Sequence, residues 1–388
     1  MSVLLVVGLV VVALVIGGGV GYLATRTSNA SASGQRGRRQ TTSTAGTSSS
    51  TTSGGAGATL RVAGVTPPSG STRVNPTAPI VVTFSAPLAA DSPKPRLNPS
   101  TPGSWSVRGD EMVFTPSVPY LPLTPVTLRV PSGSSGVRGK DGSTLAKGAV
   151  DHFRTENGSI LRLQQLLSEL DYSPLSWQPS GSPIAPGDEA AQVAALVRAP
   201  SGSFTWRNKG WPAELTDKWK PGVDDLFTKG LVMSFEADHG LIPTGTIDRA
   251  LWVSLVTAVA NHSVNTGGYN YALANKAQPE SLTVWHDGHV AVKTPVNTGI
   301  ASSPTPDGTF AVYSRLRQQV MKGTNPDGSH YADLVQYVAY FHGNDAVHYM
   351  PRAGYGIPQS LGCIELPLAQ AAQVWPYLAY GTLVTVIN

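Results

Sequence analysis

The chain of 388 residues carries a single cysteine, Cys363, in the run Ser360-Leu361-Gly362-Cys363-Ile364. His348 stands 15 residues upstream, just after the apolar-rich run from Tyr340 to Val347. A thiol and an imidazole joined by a Gly- and Pro-containing loop are the minimal parts of a nucleophilic cysteine site. The thiolate is the attacking form and a free thiol titrates near ~8.5, so a neighbouring base is needed at neutral pH. The competing reading of a lone cysteine is a small buried hydrophobe.

The surrounding chain must position that pair, and its first part bears on where the pair works. Residues 2–24 are almost all apolar, with no charge before Arg26. At about 1.5 Å per residue they span the ~30 Å core of a bilayer, which predicts a transmembrane signal anchor over residues 1–25. The rival is a cleavable signal, with Ala30-Ser31-Ala32 as its small-x-small site. The apolar run is longer than a signal h-region of ~7–15 residues, and no Lys or Arg precedes it. Arg26, Arg36, Arg38 and Arg39 follow the span, which by the positive-inside rule would hold the body in the cytoplasm. Orientation stays open on these residues.

Residues 26–57 form a Ser/Thr/Gly-rich linker, too polar to offset its ordering entropy. Anchor, linker and body describe a protein held out from a membrane. One cysteine excludes an intrachain disulfide, so a thiol kept in an oxidising place is either used or shielded. Charged residues make up 13% of the chain against the usual ~25%, and the net charge is only +4. With no dense basic patch, nucleic acid is not an expected partner, and only weak attraction to anionic envelope polymers follows.

Residues 58–156 alternate in short β-rich runs, Ile80–Phe84, Glu111–Thr115 and Val126–Val130, punctuated by Pro67-Pro68-Ser69-Gly70 and Lys140-Asp141-Gly142. That pattern predicts a β-sandwich, with His152 a loop or strand-end residue. Over 157–262 a helix is expected from Ile160, a second over Leu226–Phe235 stopping at Gly240, and a third from Asp248 to Leu255. A Pro/Trp-rich insertion over 175–222 holds Trp177, Trp206, Trp211 and Trp219, suited to packing or to stacking on sugars. His239 reads as a helix C-cap or surface residue, with no second ligand for a metal. Residues 263–388 read as mostly β, with a hairpin at Asp287-Gly288, a short helix over 367–375 and a last strand over Thr382–Ile387.

The series Val296-Asn297-Thr298-Gly299, Pro304–Phe310, Tyr340–His348 and Ser360–Leu366 resembles the L,D-transpeptidase (YkuD-type) catalytic domain. The opening of 58–156 resembles bacterial Ig-like domains, and 160–174 with 223–260 resemble a peptidoglycan-binding module. The fold class implied is multidomain and mainly β: an N-terminal transmembrane helix, an Ig-like β-sandwich, a small helical peptidoglycan-binding-like domain and a β-rich catalytic domain. By position, the resemblance implies Cys363 as nucleophile and His348, rather than His342, as general base. The backbone N–H of Cys363, with that of Gly362 or Leu361, would form the oxyanion hole, and Ser360 would hydrogen-bond within the loop or help position the substrate. A carbonyl near Gly343 would orient the base, with no metal or organic cofactor.

Two departures stand out. Leu361 replaces the family's usual histidine, and Glu365 replaces its Arg or Asn. An anion at Glu365 repels a substrate carboxylate. Either a cation such as Arg352 compensates, or the accepted stem peptide differs. The resemblance implies peptidoglycan stem peptides as substrate and 3→3 cross-linking, with L,D-carboxypeptidase activity where water intercepts the acyl-enzyme. It also implies acylation by carbapenems and a place in the cell envelope. The alternative is a non-catalytic peptidoglycan-binding envelope protein. Papain-like and sortase-like enzymes fail on the order and spacing of base and cysteine. Oligomeric state is not written in these residues.

Overall fold

The structure is a computed structural model that describes residues 59–388. The expected anchor over 1–25 and linker over 26–57 lie outside the described residues. Among the described residues, no helix is long and apolar enough to cross a membrane.

Residues 59–156 form two antiparallel sheets. Strands β1 (Val62–Thr66), β2 (Ile80–Phe84), β4 (Gly103–Arg108) and β5 (Glu111–Pro116) make one, in the order β1-β2-β5-β4. Strands β3 (Arg96–Asn98), β6 (Pro125–Val130) and β7 (Ala149–Arg154) make the other, in the order β3-β6-β7. Ile80, Val82 and Phe84 alternate inward and meet Met112, Leu128 and Phe153, the two-residue period that a half-buried strand requires. His152 is not in a loop or at a strand end. It lies inside β7, where its Nδ1 is 3.1 Å from Thr127 Oγ1 of the paired strand β6.

The helical region comprises α1 (Ile160–Glu169), β8 (Leu175–Pro179), α2 (Glu189–Val197), β9 (Gly202–Trp206), α3 (Ala213–Thr216), α4 (Leu226–Asp238) and α5 (Arg249–Ala260). Ser159, Asp225 and Asp248 cap α1, α4 and α5 by accepting from backbone N–H groups in the first turn. Gly240 follows α4 with φ +70°, a left-handed stop. Of the tryptophans of the insertion, Trp211 is buried, Trp206 and Trp219 are half-buried against the core, and Trp177 is half-buried beside Phe204. Trp177 and Trp219 each lie 4.9 Å from Phe204. This apolar core runs on without a break into Tyr269, Tyr271, Trp285 and Leu383 of the next region. The helices are therefore built onto the C-terminal domain and share its interior.

That domain holds a five-stranded sheet and a four-stranded one. The first has β10 (Asn270–Asn275), β11 (Ser281–His286), β12 (His289–Pro295), β13 (Gly308–Ala311) and β18 (Leu383–Ile387), in the order β12-β11-β10-β18-β13. Asp287 and Gly288 both have positive φ, 46° and 78°, as a tight two-residue hairpin turn needs. The second has β14 (Ser314–Thr324), β15 (His330–His342), β16 (Asp345–Tyr349) and β17 (Ile364–Leu366), in that order. Helix α6 (Leu368–Val374) follows, and Pro376 turns its end into a single 3₁₀ turn. Ala272, Val284 and Val384 of the first sheet pack with Phe341, Val347 and Ile364 of the second.

Candidate active site

Strands β16 and β17 run parallel, with His348 opposite Glu365 and Val347 opposite Ile364. Side chains alternate along a strand, so Cys363, two residues before Glu365, shares the face of Glu365 and His348. All three open into one cleft of about 670 Å³. Its far wall is the long β14–β15 hairpin, which contributes Gln319, Lys322, Tyr331 and Asp333.

The loop before Cys363 is tied down from several sides. Ser360 Oγ donates to the Cys363 carbonyl at 2.6 Å and accepts from the Gly362 N–H at 3.2 Å. Ser303 Oγ donates to the Leu361 carbonyl at 3.0 Å. The Val296–Gly299 run supports the same loop. The Thr298 carbonyl accepts from the amides of Gln359 and Ser360, both at 2.9 Å, and Asn297 exchanges backbone bonds with Glu365. Thr298 is held in turn by the buried carboxylate of Glu280, which accepts from its N–H at 2.6 Å and its hydroxyl at 2.7 Å. Gly362 has φ +118°, a conformation that disfavours side chains. A Cβ there would fall 2.3 Å from Asp345 Oδ1.

His348 is 3% exposed, and its Nδ1 lies 2.9 Å from the Tyr349 carbonyl. A carbonyl only accepts, so Nδ1 carries the hydrogen and Nε2 keeps its lone pair. Burial pushes the imidazole pKa below its ordinary value, which keeps the ring neutral at pH 7. Burial, with the Asp345 and Glu365 carboxylates adding to it, pushes the Cys363 thiol up to about 12. Its Sγ lies 3.9 Å from the Asn344 carbonyl. The resting pair is thus a neutral thiol and a neutral imidazole.

The Gly343 carbonyl does not orient His348, which the Tyr349 carbonyl holds instead. Gly343 occupies the first central position of the β15–β16 turn with φ +50°, and its carbonyl accepts from the Tyr313 hydroxyl. His342 lies at the end of β15, 47% exposed, with its Nδ1 3.0 Å from Asp345 Oδ2. The Gly362 N–H is occupied by Ser360 and is not free to serve an oxyanion.

Glu365 is 5% exposed and forms a two-pronged pair with Arg352, Nε to Oε2 at 2.8 Å and Nη2 to Oε1 at 2.7 Å. Each charge answers the other, so neither faces the cleft alone. Among the described residues lining the cleft, the cation left over is Lys322, which the sequence reading missed. Arg352→Met is expected to lower unfolding free energy by about 1.5–3 kcal/mol, because Glu365 keeps its charge without its donors. Adding Glu365→Gln is expected to recover most of that loss. Denaturant midpoints of the two variants check this.

Two segments of the chain match family models. Residues 269–386 match the L,D-transpeptidase catalytic domain (YkuD), and residues 57–155 match a bacterial Ig-like domain (Big_5). The chain therefore carries an L,D-transpeptidase catalytic domain and, before it, a bacterial Ig-like domain. Among solved structures it is similar to an L,D-transpeptidase from Mycobacterium smegmatis, at 15% identity and TM-score 0.29, covering 85% of this chain and 99% of that one. It is also similar to L,D-transpeptidase 3 from Mycobacterium tuberculosis with a faropenem-derived adduct, at 17% identity and TM-score 0.29, covering 84% and 98%. A third is the catalytic domain of the Enterococcus faecium L,D-transpeptidase, at 27% identity and TM-score 0.28, covering 30% and 95%. No curated relative matches by sequence. Neither matched segment includes residues 157–262.

Proposed function

We propose that the chain is an L,D-transpeptidase that forms 3→3 cross-links between peptidoglycan stem peptides in the cell envelope, through a thioester on Cys363. The observation that carries this reading is the shared cleft of His348, on β16, and Cys363, immediately before the parallel strand β17, within a segment that matches the L,D-transpeptidase catalytic domain. His348 Nε2 accepts the thiol proton as Sγ attacks the carbonyl of the third stem residue. The amides of Cys363 and Leu361 stabilise the oxyanion, and the Ser360 hydroxyl keeps their loop in shape. His348 then gives its proton to the departing D-alanine amine, leaving the thioester. An amine of a second stem attacks it in the next half-reaction, and water in its place gives carboxypeptidase turnover. Arg352 offsets Glu365, so the donor's carboxylate is not repelled, and Lys322 is the cation available to meet it.

The test is to incubate the full chain with a stem tetrapeptide ending in D-alanine. Release of D-alanine with a product of tetrapeptide joined to tripeptide is expected by mass spectrometry. A folded chain that releases no D-alanine and takes up no acyl group would overturn the reading in favour of a non-catalytic peptidoglycan-binding protein.

A further inference from the structure

Asp345 is a carboxylate that the first half-reaction does not use and that works against it. It lines the cleft with a side chain 19% exposed. Its Oδ2 is 3.0 Å from His342 Nδ1, while Oδ1 packs on Gly362, the residue before the nucleophile, and no donor among the described residues reaches it. Glu365, the other carboxylate beside the thiol, is matched by Arg352, whereas Asp345 has only the half-exposed His342. A lone anion here disfavours the thiolate. Once the sulfur is acylated, that penalty vanishes because a thioester is uncharged.

The second half-reaction has the opposite need. An alkyl amine with a pKa near ~10.4 arrives as an ammonium and must be brought to the thioester carbonyl and stripped of protons. We propose that Asp345 binds the acceptor ammonium, its Oδ1 receiving the cation beside Gly362 and aiming the nitrogen at the acyl carbon. This rests on the function proposed above and assigns the acceptor side of that site. The balance is simple. One ammonium proton leaves to solvent, the C–N bond forms, the C–S bond breaks, and His348 carries the second proton from nitrogen to the Cys363 sulfur. His342 fixes the carboxylate through Oδ2 and leaves Oδ1 free for the acceptor.

The test compares wild type, Asp345→Asn and Asp333→Asn as full chains, with a stem tetrapeptide as donor and acceptor. A second series uses hydroxylamine, which is uncharged at neutral pH, as acceptor. For Asp345→Asn we expect acylation at least as fast as wild type, which also reports that the variant is folded. The ratio of cross-linked to hydrolysed product should fall about tenfold or more, through a raised KM for the tetrapeptide acceptor, with no such fall for hydroxylamine. An unchanged ratio overturns the proposal. So does an equal fall in Asp333→Asn, which would make it a general effect of cleft charge, or an equal fall with hydroxylamine. If wild type takes no acyl group from the donor, the function itself fails and this assignment with it.

Discussion

Cys363→Ala is expected to abolish acyl uptake entirely. Mixed with a carbapenem, the wild-type chain should gain the mass of one intact β-lactam, and Cys363→Ala and Cys363→Ser none. The physical reason is that the cleft holds no other thiol, since Cys363 is the only cysteine in the chain. A serine hydroxyl beside the same imidazole is a far poorer nucleophile without a cleft built to activate it. Removing the sulfur should leave the fold intact, because Cys363 is only partly buried at the margin of the small cluster of Val335, Val338 and Ala346. An adduct that persists in Cys363→Ala would move the chemistry to another residue and undo the reading.

His348→Gln is expected to slow acylation by about 10²–10⁴-fold, the usual worth of a positioned general base. At 1.36 kcal/mol per factor of ten, this raises the barrier by roughly 3–5 kcal/mol. The effect is large because the thiol is pushed up to about 12 and does not ionise unaided near neutrality. The pH profile separates a base from a packing residue. With its folded pKa below ~6.5, His348 is neutral and competent at pH 7, and the wild-type rate should fall as pH drops through that lowered value. The variant should lose that limb and gain rate only with rising pH. Stability follows the same linkage. The unfolded chain protonates this imidazole at a higher pH than the folded one, so stability contributed by His348 declines as pH falls below about 6.5. A glutamine that left the acylation rate and its acid limb unchanged would exclude His348 as the base.

Much of the architecture was legible because it rests on local patterns. Ile80–Phe84 alternates and is β2, and Asp248 precedes its apolar run and caps α5. Asp287-Gly288 supplies the positive φ of the turn it makes. The β14–β15 hairpin escaped because both its faces meet solvent over part of its length. Leu316, Val320 and Leu334 are exposed, so hydrophobic alternation there does not mark a buried side. With the hairpin went Lys322, Tyr331 and Asp333, the far wall of the cleft. The tryptophan-rich insertion kept two readings in sequence, because stacking on a sugar and packing in a core ask for the same residue type. The fold brings Phe204 and Phe227 against those rings, contacts between segments that no local pattern announces.

The sequence by itself determined the candidate types, one thiol, two imidazoles (His342 and His348) in a short upstream run, and a glycine before the sulfur, because those are properties of composition and order. The tertiary structure decided which charges stand alone. Arg352 and Glu365 are 13 residues apart, and only the parallel pairing of β16 with β17 closes them into a neutral pair. Asp345 is 18 residues before Cys363, and only the fold sets its oxygen on Gly362. The Tyr349 carbonyl, rather than one at Gly343, holds the base, a contact that only the folded strand shows. Charge pairing and orientation depend on distances of a few ångströms between segments far apart in the chain, and that information exists only once the sheets have formed.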